Sequence, residues 1–219
     1  MRYIYLHGFA SGPHSRKAQA FRAALGAAGA RLEIPDLAQG DFAHLTISGQ
    51  LDVIERTLQG DPARLIGSSM GGYLAALYAA AHPEADRVVL LAPAFRFAQR
   101  WNELAGPADM RNWRDTGWLE VFHYGDRASR RLHYGLFEDA LLHDPAPGFT
   151  QPARIFHGTG DETVPVAYSR EFAAAHPNAV LTELDSDHEL LSVLDRITAA
   201  AVPFLTGSEY ATGVPEDGA

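Results

Sequence analysis

One stretch constrains this chain more than any other. Residues 63–76 read Ala-Arg-Leu-Ile-Gly-Ser-Ser-Met-Gly-Gly-Tyr-Leu-Ala-Ala, and further alanines follow. This is the pattern of a short buried strand, a turn with a serine at its tip, and a helix of small residues. Gly67, Ser69 and Gly71 fit G-x-S-x-G, in which a strained strand-to-helix turn lifts a serine hydroxyl above the edge of a sheet. A side chain on either flanking position would strike the neighbouring strand or the following helix, so glycine is needed there. The bare pattern also arises by chance. The strand before it and the helix after it are what single it out. Ser68 is the competing serine, but Met70 stands two positions on where a glycine is needed, so its small size is read as a requirement of the turn.

A strand–helix rhythm surrounds this stretch. Residues 3–6 form an apolar, aromatic-rich run, read as a first strand buried on both faces. A Gly- and Pro-rich loop, His7 to Pro13, follows. A helix is predicted over 16–28, a strand over 32–37 and an amphipathic helix over 45–58, ended by Gly60. After the elbow helix, which ends at His82-Pro83, residues 87–94 form a fourth apolar strand. Such alternation is the mark of βαβ units and a parallel sheet.

The rhythm breaks over residues 95–152. This segment holds all three tryptophans, Trp101, Trp113 and Trp118, together with Phe122, Tyr124, Tyr134 and Phe137. It is too long for a crossover and too aromatic for a disordered linker. It is read as an insertion that caps the sheet, partly helical, with a hairpin near 118–134. Phe95 to Phe97, just after the strand, are expected to face the site. The rhythm then resumes with a strand over 153–157, a helix over 166–175, a strand over 179–184 and a helix over 190–205. A single domain is therefore expected over 1–206, with a loose polar tail over 207–219.

A serine hydroxyl is a poor nucleophile at neutral pH and needs a base, which in turn needs an acceptor to hold its tautomer. Open parallel sheets gather such groups at the carboxyl ends of their strands. Asp161 follows the fifth strand and His188 follows the sixth. Of the ten histidines, only His176 and His188 follow Asp161. His176 stands at a helix end before a proline, as His82 does, and both suit a helix C-terminus. His188 is therefore read as the better base. Asp185 and Asp187 lie in the histidine's own loop and are read as shaping its turn. An oxyanion would need backbone donors. The amide of Met70 is one, and that of Phe9, in the loop leaving the first strand, is the second, with Ala10 as its alternative. His7 is read as a buried brace for that loop.

His7-Gly8-Phe9, Gly67 to Gly72, His157-Gly158-x-x-Asp161-x-x-Val164-Pro165 and Ser186-Asp187-His188 together resemble the α/β-hydrolase superfamily. The chain is similar in particular to its small serine esterases and thioesterases, which include bacterial YqiA-type esterases and a mitochondrial acyl-glucuronide esterase that is also a protein depalmitoylase. The resemblance runs from about residue 2 to residue 205. It implies the α/β-hydrolase fold, a Ser69–Asp161–His188 triad, and an oxyanion hole formed by Phe9 and Met70. Because the sequence opens on the strand leading into His-Gly, the first two strands of the full superfamily sheet are expected to be absent. About six mostly parallel strands flanked by helices are expected, with the cap inserted after the fourth.

The expected reaction is hydrolysis of a small-molecule ester or thioester through an acyl-enzyme, with no metal or organic cofactor. The alternatives are carbon–carbon or amide bond cleavage on the same scaffold, and a non-catalytic binding protein of this fold. A net charge of −9 argues against a nucleic-acid partner or an anionic membrane surface. The chain lacks cysteine, so a disulfide, a thiolate metal site and a cysteine nucleophile are all excluded. That composition is compatible with a cytoplasmic home, the location expected here. The first apolar run is too short for a signal peptide, and no membrane span is expected. Nothing in the pattern sets an oligomeric state.

Overall fold

The computed structural model describes residues 1–208. Of the polar tail predicted over 207–219, residues 209–219 lie outside the described residues. Six strands form one sheet: β1 (Arg2–Leu6), β2 (Leu32–Glu33), β3 (Ala63–Ser68), β4 (Ala85–Leu91), β7 (Ala153–Gly158) and β8 (Ala179–Leu184). Their order across the sheet is β2-β1-β3-β4-β7-β8, and every pairing is parallel. Strands buried on both faces need apolar side chains throughout, and the centre of β3 obeys this, with Leu65 and Ile66 both fully buried.

Helices cover both faces. On one lie α1 (Arg16–Ala27) and α7 (Leu194–Thr206), whose Phe21, Leu25, Ile197 and Leu205 pack with Tyr5 and Ile66. On the other lie α2 (Ile47–Leu58), α3 (Met70–Ala81) and α6 (Val166–Ala175). The alanines of α3 let it lie close against the sheet, where Ala75 and Ala76 are fully buried.

The cap is built from α4 (Phe97–Thr116), the antiparallel hairpin of β5 (Trp118–His123) and β6 (Ala128–His133), and α5 (Gly135–Ala140). Trp113 is its centre, with its ring on Trp101, Tyr134 and Phe137 and its indole N–H donating to Leu132 O at 3.1 Å. The turn of the hairpin docks back onto the loop after β1. The Tyr124 and Gly125 amides donate to Ala10 O at 2.8 and 3.4 Å.

Several predicted boundaries move. The second strand, expected over 32–37, keeps only Leu32 and Glu33, because Pro35 has no N–H for a ladder and β2 is an edge. The fourth strand ends at Leu91 rather than at residue 94: Ala92 takes φ 44° and Pro93 follows, turning the chain into the cap. Helix α2 starts at Ile47 rather than 45, because the Thr46 side chain caps it by accepting from Gly49 N. The last helix, expected from 190, begins at Leu194. Leu190 is left-handed at φ 56°, and a single 3-10 turn, Leu191–Val193, separates the two. The Gly106-Pro107 pair, of a kind that usually marks a loop, is instead a bend within α4, with Gly106 at φ 75° and ψ 168°.

Candidate active site

The sheet order places a switch point between β1 and β3. The chain leaves β1 towards α1 on one face and leaves β3 towards α3 on the other. A crevice opens where two such connections part. The loop after β1 and the turn after β3 both sit there.

Close approach explains the glycines of that turn. A Cβ on Gly67 would lie 2.1 Å from Gly71 O, and one on Gly71 would lie 2.0 Å from Leu6 O. Ser69 itself holds φ 54° and ψ −118°, a region sparsely occupied by residues with a side chain. The neighbouring chain fixes it there. Ser69 N donates to Leu91 O at 2.8 Å, and Ser69 O accepts from Gly72 N, Tyr73 N and Ala94 N at 2.9, 3.1 and 3.0 Å.

Ser69, His188 and Asp161 come together across 119 positions of sequence. His188 Nε2 lies 3.0 Å from Ser69 Oγ, and His188 Nδ1 lies 2.6 Å from Asp161 Oδ2. With the carboxylate accepting at Nδ1, that nitrogen carries the proton and Nε2 is free to accept from the serine hydroxyl. Asp161 Oδ1 accepts from the Thr163 and Val164 amides at 2.9 and 2.8 Å. Burial on its own would raise the Asp161 pKa. Hydrogen bonds from His157 and His188, the charge of His188 and the Val164 amide outweigh it and hold this carboxyl well below the usual carboxylate range.

The rejected candidates take the places expected of them. Asp187 Oδ1 accepts from the Glu189 and Leu190 amides at 3.0 and 3.2 Å, shaping the histidine's turn. His82 and His176 are the C-cap residues of α3 and α6. Ser68 is buried.

His157, which the sequence marked only as part of the motif around Asp161, turns out to hold that acid. It is fully buried at the end of β7, with Nε2 3.1 Å from Asp161 Oδ2 and 2.9 Å from Val164 O. Both are acceptors, so Nε2 carries the proton, and Nδ1 accepts from Ser169 Oγ at 2.8 Å. A histidine near the end of a strand, just ahead of the Asp161 loop, was the available signal. The loops of Asp161 and His188 also press on each other, since a Cβ on Gly158 would lie 2.4 Å from Ser186 O.

The loop after β1 lies against the elbow, where a Cβ on Gly8 would meet Ser68 O at 3.3 Å and Ser69 Cβ at 3.4 Å. His7 braces it: Nδ1 is 3.1 Å from Gly8 O, and Nε2 accepts from Leu37 N at 3.2 Å. Burial lowers the His7 pKa, which keeps the ring neutral as these bonds require. Phe9 and Met70 both line the cavity over Ser69, and among the described residues no protein acceptor takes either backbone N–H.

That cavity measures about 1340 Å³. Its apolar wall includes Phe9, Phe42, Phe95, Phe97 and Trp101, with Phe9 5.4 Å from Phe42 and 5.2 Å from Trp101 between ring centres. Arg96, between the two phenylalanines, turns away to Glu171 and Tyr168. No helix among the described residues is long and apolar enough to cross a membrane.

Known proteins share this architecture. The chain is 27% identical over 212 residues to the mitochondrial palmitoyl-protein thioesterase ABHD10 of Mus musculus, covering 88% of this chain and 70% of the mouse protein. The solved structure of mouse alpha/beta hydrolase domain-containing protein 10 superposes with a TM-score of 0.79 at 21% identity, covering 94% of this chain and 90% of that one. Est1E from Butyrivibrio proteoclasticus, solved with ferulic acid bound, gives 0.78 at 22% identity, covering 94% and 88%. The fold is that of the α/β hydrolases, as the sequence led us to expect, and with a match spanning residues 2–205 the chain belongs to the uncharacterised protein family UPF0227.

Proposed function

We propose that this protein is a serine hydrolase that cleaves carboxylic esters or thioesters through an acyl-enzyme on Ser69. The observation that carries this reading is the continuous hydrogen-bonded line from Ser69 Oγ through His188 to Asp161, opening into the cavity. The names of its relatives lend support: one is a palmitoyl-protein thioesterase, and another is an Est1E structure holding ferulic acid.

In this mechanism His188 Nε2 takes the Ser69 proton as Oγ attacks the carbonyl carbon. The oxyanion rests on the Phe9 and Met70 amides, and each such donor is worth about 3 kcal/mol of transition-state stabilisation. Asp161 stabilises the imidazolium and holds its tautomer. The C–O or C–S bond breaks, and the departing alcohol or thiol takes the proton from Nε2. Water then attacks the acyl carbon with His188 as base, releasing the acid and restoring Ser69. The aromatic wall receives the apolar part of the substrate.

The test is intact-mass spectrometry after fluorophosphonate treatment of the native protein and Ser69→Ala, with p-nitrophenyl acetate to decanoate hydrolysis alongside. One adduct lost in Ser69→Ala, with turnover that varies with chain length, is expected. A folded native protein that takes no adduct and turns over no ester would overturn the reading.

A further inference from the structure

The cavity has a second, polar wall. Lys17 is the only lysine in the chain, and it points inward from the first turn of α1 at 9% exposure. A lone lysine would ordinarily sit in water. Its ammonium makes no hydrogen bond or ion pair among the described residues. Tyr5 is fully buried, and its hydroxyl has no hydrogen-bond partner among the described residues. Both side chains line the cavity that holds Ser69 and His188, and the hydroxyls of Ser15 and Ser68 neighbour that of Tyr5.

The surrounding acids do not fill this gap. Asp161 is bound by His157 and His188, Asp187 holds the turn of its own loop, and Glu189 is exposed to water. Burial lowers the Lys17 pKa, and these three carboxylates oppose that. The wall thus presents a bare ammonium and hydroxyls able to donate, with each nearby carboxylate already bound or exposed to water, an arrangement that suits an oxyanion. Tyr5 packs in the layer under α1, whereas Phe9 and Trp101 belong to the opposite layer. The nucleophile stands between a polar wall and an aromatic one.

We propose that Lys17 and Tyr5 form an anion subsite beside Ser69, which takes the carboxylate of an ester whose other half is apolar. This rests on the hydrolase reading above. The carboxylate can belong to the acyl group or to the leaving group, and the experiment separates the two.

Two matched pairs of substrates are compared at pH 7: mono-p-nitrophenyl glutarate against p-nitrophenyl butyrate, and 3-carboxyphenyl butyrate against phenyl butyrate. In the pair whose charge sits correctly, the acidic-to-neutral ratio of kcat/KM falls about tenfold in Lys17→Met, the size of one charge-assisted contact. In Tyr5→Phe, which keeps the ring, it falls about threefold. Ratios that do not change in either pair overturn the subsite.

A readout independent of turnover uses the single lysine. With 13C-lysine, Ser69→Ala shows one lysine side-chain signal, which shifts when glutarate is titrated. A shift in a native protein that hydrolyses none of the esters would sink the hydrolase reading and keep the subsite. Ester turnover with unchanged ratios and no shift would do the reverse. A signal that moves in Glu189→Gln but not with glutarate would make Lys17 a structural charge and end the proposal.

Discussion

The carboxylate of Asp161 is shared by two histidines, and only one of them faces Ser69: His157 Nε2 stands 3.1 Å from the same Oδ2 that His188 holds at 2.6 Å. His157 is pinned from its other side by Ser169, so the acid cannot swing without breaking a buried line of bonds. In His157→Phe, Ser169 Oγ and Val164 O each lose a buried partner. Stability should fall by about 2–4 kcal/mol for two orphaned groups, read by urea denaturation. Fluorophosphonate labelling of the folded fraction should slow as well, because His188 then leans on a less fixed acid.

Asp161→Asn should keep the bonds from Thr163 and Val164 while turning an N–H towards His188. The imidazole then takes the wrong tautomer, and kcat should drop by about 10³–10⁴-fold. Steady-state hydrolysis of p-nitrophenyl butyrate measures it, with circular dichroism to show that the fold survives.

The same residue sets a pH dependence of stability. Its folded pKa lies below its unfolded value of about 3.9, so its contribution is complete above that value. It is lost as pH falls from there through the folded value. Urea midpoints of the native protein should therefore fall more steeply below about pH 4 than those of Asp161→Asn. Equal slopes would mean that the carboxyl is not held low in the folded state.

Two glycines should respond to alanine with opposite signs. Gly71→Ala drives a Cβ to 2.0 Å from Leu6 O, backbone against backbone, and should cost at least about 3 kcal/mol. Gly26→Ala, within α1 and with nothing within 4 Å, should gain about 0.5–1 kcal/mol. Chemical denaturation of both variants tests the pair.

Trp101 meets Phe9, Phe97 and Trp113 at ring-centre distances of 5.2, 5.4 and 5.2 Å. Trp101→Ala removes much of the aromatic wall. kcat/KM for p-nitrophenyl octanoate should fall about tenfold further than for the acetate, as loss of ~1–2 kcal/mol of apolar contact requires. An equal loss for both esters would place the acyl chain elsewhere.

The candidate site was legible where its residues fall in short motifs flanked by periodic segments. Ser69 announces itself because Gly67 and Gly71 are forced by close approach, and Asp161 and His188 because each lies in the loop that follows a strand. What the sequence could not display were partnerships made at a distance. The bond from His157 to Asp161 depends on the depth of one strand end, and the bare ammonium of Lys17 depends on what fails to reach it. Helix limits shifted for local reasons that pattern reading blurs. Gly106-Pro107 bends α4 without ending it, since a proline in the first turn of a helical segment needs no N–H partner.

The bonds from Tyr124 and Gly125 to Ala10 bear on how this protein can change over evolutionary time. The tip of the hairpin and the loop carrying the Phe9 amide are spliced together, one residue from where the proposed reaction would gather negative charge. Lengthening or replacing the hairpin to admit a bulkier substrate would therefore also retune the chemistry beneath it. New specificity is more readily reached through single side chains on the bent helix α4, which can vary without pulling on that splice.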